Sequence, residues 1–352
     1  MIQRLFHRMR HHSRWIIVLF FMFLVVTILA ALSVGSVSLP FTTVLDVLWR
    51  WLTGMSVTAY PQSTTSILLD IRLPRVLLVA LTGAALSASG AAYQGLFRNP
   101  LADPYIIGVA SGAGLGAMIA LVAGPVRWYG TIALPLGAFL GAIAVVLAVT
   151  AIARRHREHS TQDMVLAGVA IGTLASALTT YLMIRAGRQA GQLLAFLLGS
   201  VASVGWESVR IVAISLVIGV VCLLVVARDL NVLLLSEEQG TLLGIDVRRV
   251  RGFVVFGATL MTASAVAFHG LIGFVGIIVP HALRLVFGGD NRALIPYAAC
   301  MGALFLVAAD LIARTIQAPV EIPLGIVTAC IGSPVFLVLL LRRSRSCHTL
   351  SL

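Results

Sequence analysis

From Val76 to Phe97 the chain runs for twenty-two residues without a charged side chain. As a helix that run is about 33 Å long, enough to cross the hydrocarbon core of a bilayer. Polar clusters close it at both ends, RLPR at 72–75 and RNPLAD at 98–103. Hydrocarbon offers no partner to an open backbone group, so the run must be helical and the two clusters must face opposite compartments.

Comparable runs recur along the 352 residues. With 59% of residues hydrophobic and 11% charged, the composition points to a polytopic helical membrane protein rather than a soluble or barrel protein. About ten spans are expected, at 15–36, 75–97, 104–124, 131–153, 163–184, 207–227, 250–268, 271–287, 294–314 and 322–341. The expected fold is all-α, a single transmembrane domain over 1–352, with an extra short helix between Gln189 and Val204 lying outside the bilayer. The first run comes after an arginine-rich leader but is longer than the apolar core of a signal peptide, so it reads as a retained span.

All 25 basic residues are arginine. Without lysine there is no Walker A phosphate loop and no Schiff-base chemistry, so if ATP drives this protein another subunit must bind it. The net charge of +12 could suggest nucleic acid, but its distribution argues for topology instead. With a cytoplasmic N-terminus and ten spans, seventeen arginines fall inside and eight outside, the eight being Arg50, Arg72, Arg75, Arg127, Arg185, Arg188, Arg210 and Arg314. The positive-inside rule favours that orientation, which makes both termini cytoplasmic and leaves no nucleic-acid partner implied. Cys222, Cys300, Cys330 and Cys347 show no C-x-x-C spacing, and His281 has no second ligand nearby in sequence, so no metal site is expected. His281 reads as structural, with Pro280 bending its helix, and His7, His11 and His12 as part of a solvated leader.

Small residues repeat every four positions at Gly108, Gly112 and Gly116, at Gly137 and Gly141, and at Gly83, Ser87 and Ala91. Such ridges let helix backbones approach closely in lipid. Few ionisable residues fall within spans, chiefly Asp310 and Arg314, four apart on one helix face and so either an ion pair or a functional couple. The scarcity of intramembrane carboxylates and histidines weighs against an ion-coupled carrier.

The segment 230–252 is the longest polar connection expected on the cytoplasmic side. Ser236 with Gln239 forms a capping pattern, Gly244 can stop a helix and Asp246 can cap the next, which predicts two short helices joined at Gly244. Leu242, Leu243 and Ile245 would then suit burial in a groove on a partner, unless the segment is a solvated connector. At 98–104, Pro100 and Pro104 disfavour helix in the residues before them and predict a fixed turn.

Several blocks carry a resemblance. Glu238 and Gly244, six apart, resemble a degenerate Glu-Ala-Ala loop of ABC importer permeases. IRLPR at 71–75, SGAAYQGLFRNPLADP at 89–104, GLIGFVGIIVPHALR at 270–284, ADLIAR at 309–314 and EIPLGIVTACIGSPVF at 321–336 are similar to the FecCD family, permeases for ferric siderophores, haem and cobalamin. The resemblance implies a cobalamin-importer-like permease fold in the inner, cytoplasmic membrane, assembled as a homodimer among membrane lipid. Two ATP-binding cassette subunits below would hold ATP and Mg, and a periplasmic or lipid-anchored substrate-binding protein would dock above. The chain itself would hold no cofactor and no catalytic residue.

By the same resemblance, Arg72, Arg75 and Arg314 would pair with carboxylates of the binding protein, a task suited to the planar guanidinium. For Arg72 and Arg75 the competing reading is interfacial anchoring. Asn99 and Leu101 would form the cytoplasmic gate with Thr161 and Gln162, although Gln162 departs from a serine found in a cobalamin importer of the family, and a plain turn is the alternative. Ser236, Glu237, Glu238, Gly240, Leu243 and Gly244 would couple the chain to its ATPase. The expected cargo is a bulky metal chelate, ferric siderophore first and haem next, with cobalamin the alternative within the family. A secondary transporter driven by an ion gradient is the alternative from another class.

Overall fold

The computed structural model describes residues 13–35, 38–122, 132–155, 161–187, 189–200 and 205–348, with side chains from 17 to 338 and at 341. The leader with His7, His11 and His12, and Arg127, Arg157 and Arg188, lie outside the described residues. Fourteen helices are present among them: α1 Ser13–Ser33, α2 Phe41–Leu52, α3 Gln62–Leu96, α4 Val109–Val122, α5 Ala133–Ala153, α6 Thr161–Arg185, α7 Gln189–Leu197, α8 Trp206–Val225, α9 Ala227–Leu233, α10 Glu237–Leu242, α11 Val247–His269, α12 Val275–Phe287, α13 Asn291–Thr315 and α14 Leu324–His348. Ten of them coincide with the expected spans. Six (α3, α5, α6, α8, α11 and α13) are long and apolar enough to cross a membrane, while α1, α4, α12 and α14 contribute shorter apolar stretches.

Helix α3 is the hub, because its small residues let neighbours touch its backbone. A Cβ on Gly83 would collide with the Gly302 carbonyl of α13, and one on Gly90 with the Gly276 carbonyl of α12. On the side facing α11, Ser89 donates to the Ala258 carbonyl at 3.2 Å and Tyr93 meets Thr259 at 3.2 Å. The glycine ridges of α4 and α5 meet as their spacing suggests, Gly112 on Gly141 and Gly116 on Gly137.

Two expected spans begin later than their apolar runs. Helix α4 starts at Val109 rather than 104, and α12 at Val275 rather than 271, because 97–108 and 270–274 enter the bundle as non-helical chain. Those segments satisfy each other. The Tyr105 hydroxyl donates to the Ile272 carbonyl at 3.0 Å and lies 3.2 Å from the Ile272 amide, from which it accepts. The Leu271 amide donates to the Phe196 carbonyl at 3.1 Å, and the Gly325 amide to the Leu198 carbonyl at 3.2 Å. Gly270 turns with φ 73°, and a Cβ there would strike the Phe196 carbonyl. Non-helical backbone is tolerated at membrane depth where protein supplies the missing partners.

Helix α7 is the short helix expected between 189 and 204, and it packs against α4 and α6. Its Leu193 and Phe196 are buried, and the Phe196 and Leu198 carbonyls at its C-terminal end accept from Leu271 before α12 and from Gly325 in the first turn of α14. Helix α2 was not anticipated, since its 12 residues are too few for a span. It is amphipathic: Val44 and Val47 face inward while Trp49 and Leu52 are exposed. Tyr60 donates to Asp46 at 2.7 Å, as does Arg50, and together they hold the Asp46 carboxyl below its usual range. Trp51 stacks on Trp206 of α8 with centroids 5.6 Å apart.

The glycine contacts give a direct test of the packing. Gly83→Leu is expected to destabilise the detergent-solubilised protein by about 3 kcal/mol or more, read as a fall in thermal unfolding temperature. Gly191→Leu on α7, where a Cβ meets nothing within 4 Å, should stay within about 0.5 kcal/mol.

Candidate functional site

At one end of the bundle α1, α3, α13 and the segment before α14 converge on an arginine cluster. Arg72 is buried and donates to the Leu32 carbonyl at 2.8 Å and to the Ser33 carbonyl at 3.4 Å. Arg314, also buried, reaches the Ala31 carbonyl at 3.3 Å and the Val34 carbonyl at 3.5 Å. The last turn of a helix leaves carbonyls without intrahelical partners, and cations there also oppose the negative end of the helix dipole. For α1 the account closes: Val34 and Leu39 amides take Ala30 and Ser33, and the two arginines take the rest.

Arg75 lies between two carboxylates. It grips Glu321 with both guanidinium arms, at 2.9 and 2.8 Å, and meets Asp310 at 3.2 Å. Asp310 is buried and lies 2.9 Å from the Arg314 Nε in the i,i+4 arrangement read from the sequence, at ion-pair distance but without hydrogen-bond alignment. The Glu321 side chain is 51% exposed and that of Arg75 19%, so this pair forms the accessible rim while Arg72 and Arg314 lie beneath it. Sequence reasoning missed Glu321, whose signal was a lone acid opening the block EIPLG, on the face that charge counting assigned to Arg75.

At the opposite end α3 stops at a tight turn. The Arg98 and Asn99 amides bond back to the Gly95 and Gln94 carbonyls, with Arg98 left-handed at φ 50°, the geometry of a Schellman stop. The Asn99 side chain then accepts from the Leu101 amide at 3.0 Å, fixing the turn before Pro104. Asn99 is exposed and Leu101 half-buried. Thr161, the first residue of α6, is buried, and Gln162 beside it is exposed.

Helix α6 buries only one edge, with Thr161, Met164, Gly168, Gly172, Ala175 and Thr179 at helical spacing. Beside that edge a cavity of about 570 Å³ is lined by Ser111 of α4, by Thr173, Ser176 and Thr180 of α6, and by Tyr105, with no charged side chain in its lining. The Thr173 and Thr180 hydroxyls already donate to carbonyls one turn back, at 2.8 and 3.0 Å, which leaves a weakly polar wall of oxygen lone pairs.

The knob between α8 and α11 is built from α9 and α10. Ser236 caps α10 by accepting from the Gln239 amide at 3.0 Å, Gly244 turns with φ 82°, and Asp246 caps α11 through the Arg249 amide at 3.1 Å. The capping signals were thus legible, but the partition differs from expectation. Both short helices precede Gly244, and the long helix α11 comes after it, because Asp246 starts a helix that the apolar run then carries through the bundle.

Gly240 packs on Leu233, Leu230 is buried against Gly95 of α3, and Leu242 and Leu243 stand 86% and 68% exposed. Two ties anchor the knob. Glu237 meets Arg251 of α11 at 3.1 Å, and Asn231 clasps the start of α13, donating to Asp290 at 2.7 Å and accepting from the Asn291 amide at 2.8 Å. Glu238, next to Glu237 in the first turn of α10, is exposed. The asparagine clasp carried no signal in sequence, since residues 231 and 291 are sixty apart.

Known proteins resemble the chain over most of its length. The model of the FecCD transport family matches residues 23–342. An uncharacterized ABC transporter permease protein of Bacillus subtilis is 40% identical over 97% of this chain and 98% of its own. A cobalamin import system permease protein of Halobacterium salinarum is 44% identical over 80% of this chain and 74% of its own. A hemin transport system permease protein of Yersinia pestis is 38% identical over 91% and 93%. A solved structure described as an inward-facing metal-chelate type ABC transporter superposes with a TM-score of 0.80 at 30% identity, covering 94% of this chain and 99% of that one. The chain belongs to the FecCD transport family and is a multi-pass inner-membrane permease subunit of an ABC importer, without an ATPase site of its own.

Proposed function

We propose that two copies of this chain enclose the path of a bulky metal chelate, a ferric siderophore foremost, and that haem is the next candidate. Relatives named for cobalamin, hemin and ferric dicitrate transport support the class of cargo. The uncharged hydroxyl wall of α6 supports a pathway that passes a polar ligand without holding it tightly, so selection falls to a separate binding protein. The α6 faces of the two copies line the path, and Asn99, Leu101, Thr161 and Gln162 narrow its cytoplasmic end. A gradient-driven carrier is not favoured, because the family is one of ABC importers.

The observation that carries the reading is the knob: two leucines presented to solvent on a short helix that Asn231 and Glu237 fix to the bundle core. Two ATPase subunits, with their ATP and Mg, dock there through Leu243 and its neighbours from Ser236 to Gly244, and their closure moves the knob. The binding protein docks at the other end, its carboxylates competing with Glu321 for Arg75. Arg72 and Arg314 serve this docking from beneath, by holding α1 and Asp310 in place.

Three measurements test these assignments. Leu242→Asp with Leu243→Asp should weaken ATPase capture about thirtyfold in co-purification while the permease remains folded; undiminished capture would place docking elsewhere. Arg75→Glu should lower binding-protein affinity roughly tenfold and flatten its salt dependence, whereas Glu321→Gln should preserve or strengthen it. Cysteines introduced at Leu101 and crosslinked between the two copies should block chelate uptake, and uptake at the unmodified rate would show that this turn is no gate.

A further inference from the structure

Between α5 and α11, beside the knob, lies a cleft of about 620 Å³ that shares Arg251 with the knob's anchor and touches α6 through Met164. Arg154, Arg248 and Arg251 stand at its mouth, and Leu147, Val255 and Phe256 line it above them. Helix α11 packs against both α5 and α8, and the exposed faces of those two helices are apolar, with Leu140 and Leu147 on one and Ile214, Val217 and Val221 on the other. Such faces suit hydrocarbon, so the cleft opens toward lipid rather than toward the hydroxyl-lined path of α6.

The charges are one-sided. Arg251 is held by Glu237 at 3.1 Å, while Arg154 and Arg248 are exposed and meet no carboxylate among the described residues. A ligand that fits must be anionic at one end and apolar at the other. We propose that this cleft binds one anionic phospholipid of the cytoplasmic leaflet, with its phosphate between Arg154 and Arg248 and an acyl chain along Leu147, Val255 and Phe256. The proposal rests on the orientation given by the arginine distribution. An occupied cleft sets a phosphate beside the Arg251–Glu237 tie and so steadies the root of the knob.

Gly252 supplies an independent handle. It lines the cleft from within α11, and a Cβ there meets nothing within 4 Å, so Gly252→Phe adds bulk to the cleft while leaving all three arginines in the sequence. The purified chain in neutral detergent would be titrated with phosphatidylglycerol, with phosphatidylcholine of the same chains, and with glycerol phosphate, and bound ligand counted by native mass spectrometry. Phosphatidylglycerol is expected to bind at least tenfold more tightly than either. Arg154→Gln with Arg248→Gln should weaken it roughly thirtyfold, and Gly252→Phe should also weaken it while the chain elutes as the parent does. Equal affinity for the two lipids, glycerol phosphate binding as well as the lipid, or parental binding by both variants would each overturn the proposal. Because binding is read on the chain alone, it is scored separately from transport and from partner docking.

Discussion

The rest of the structure depends on one constraint: a backbone amide or carbonyl inside the bilayer must find its partner within the protein. Ten unbroken helices would meet it trivially, but this chain breaks at 97–108, at 198–200 and at 270–274. It can do so because the breaks are brought to one another. Tyr105 serves both backbone groups of Ile272, while Phe196 and Leu198 serve Leu271 and Gly325. The glycines at 270 and 325 are needed there because their neighbours are carbonyl oxygens, which no side chain could displace without breaking the bonds just made. The breaks in turn open the wall of the α6 cavity, to which Tyr105, Ile106 and Leu271 all contribute.

The same constraint governs the arginines. A guanidinium pulled out of water is costly unless its donors are matched, and the open carbonyls at the end of α1 are acceptors that also need matching. Arg72 and Arg314 meet both needs together. Their burial makes them part of the frame at that end of the bundle, while Arg75, shared by Asp310 and Glu321, is the more accessible cation and the one proposed to meet an arriving carboxylate. The arginines named together from sequence thus form a layered cluster, with Arg72 and Arg314 buried beneath the Arg75–Glu321 rim.

How much a sequence can disclose depends on the range of the forces involved. Span positions, the α4–α5 glycine ridges and the caps at Ser236 and Asp246 depend on residues a few positions apart, and they stand where local patterns put them. The late starts of α4 and α12 were hidden, because apolar runs at 104–108 and 271–274 look helical until the partners that release them are known. Prolines at 100 and 104 hinted at the first break, but nothing local marked Tyr105 as its staple. Glu321 for Arg75 and Asn291 for Asn231 are pairings across 246 and 60 residues, beyond the range of any local sequence pattern. Helix α2 was missed for a different reason: its period is helical, but a search for membrane-length runs passes over 12 residues.

Those distant pairings also explain how a small knob could move a large bundle. Asn231 binds the start of α13 and Glu237 the start of α11, so a displacement of the knob enters two helices at once. Both then lie along α3 through contacts of backbone on backbone or of short hydroxyls, Gly302 on Gly83 and Ala258 on Ser89. Long side chains at those contacts could absorb a shift by changing rotamer, but glycine offers no such slack, and a densely packed interior transmits strain. Helix α3 ends at the Asn99 turn on one side and carries Arg75 on the other. On the coupling proposed for the knob, a push delivered there would therefore reach the Asn99 turn and Arg75 through the same rigid element, as alternating access between the two ends would require.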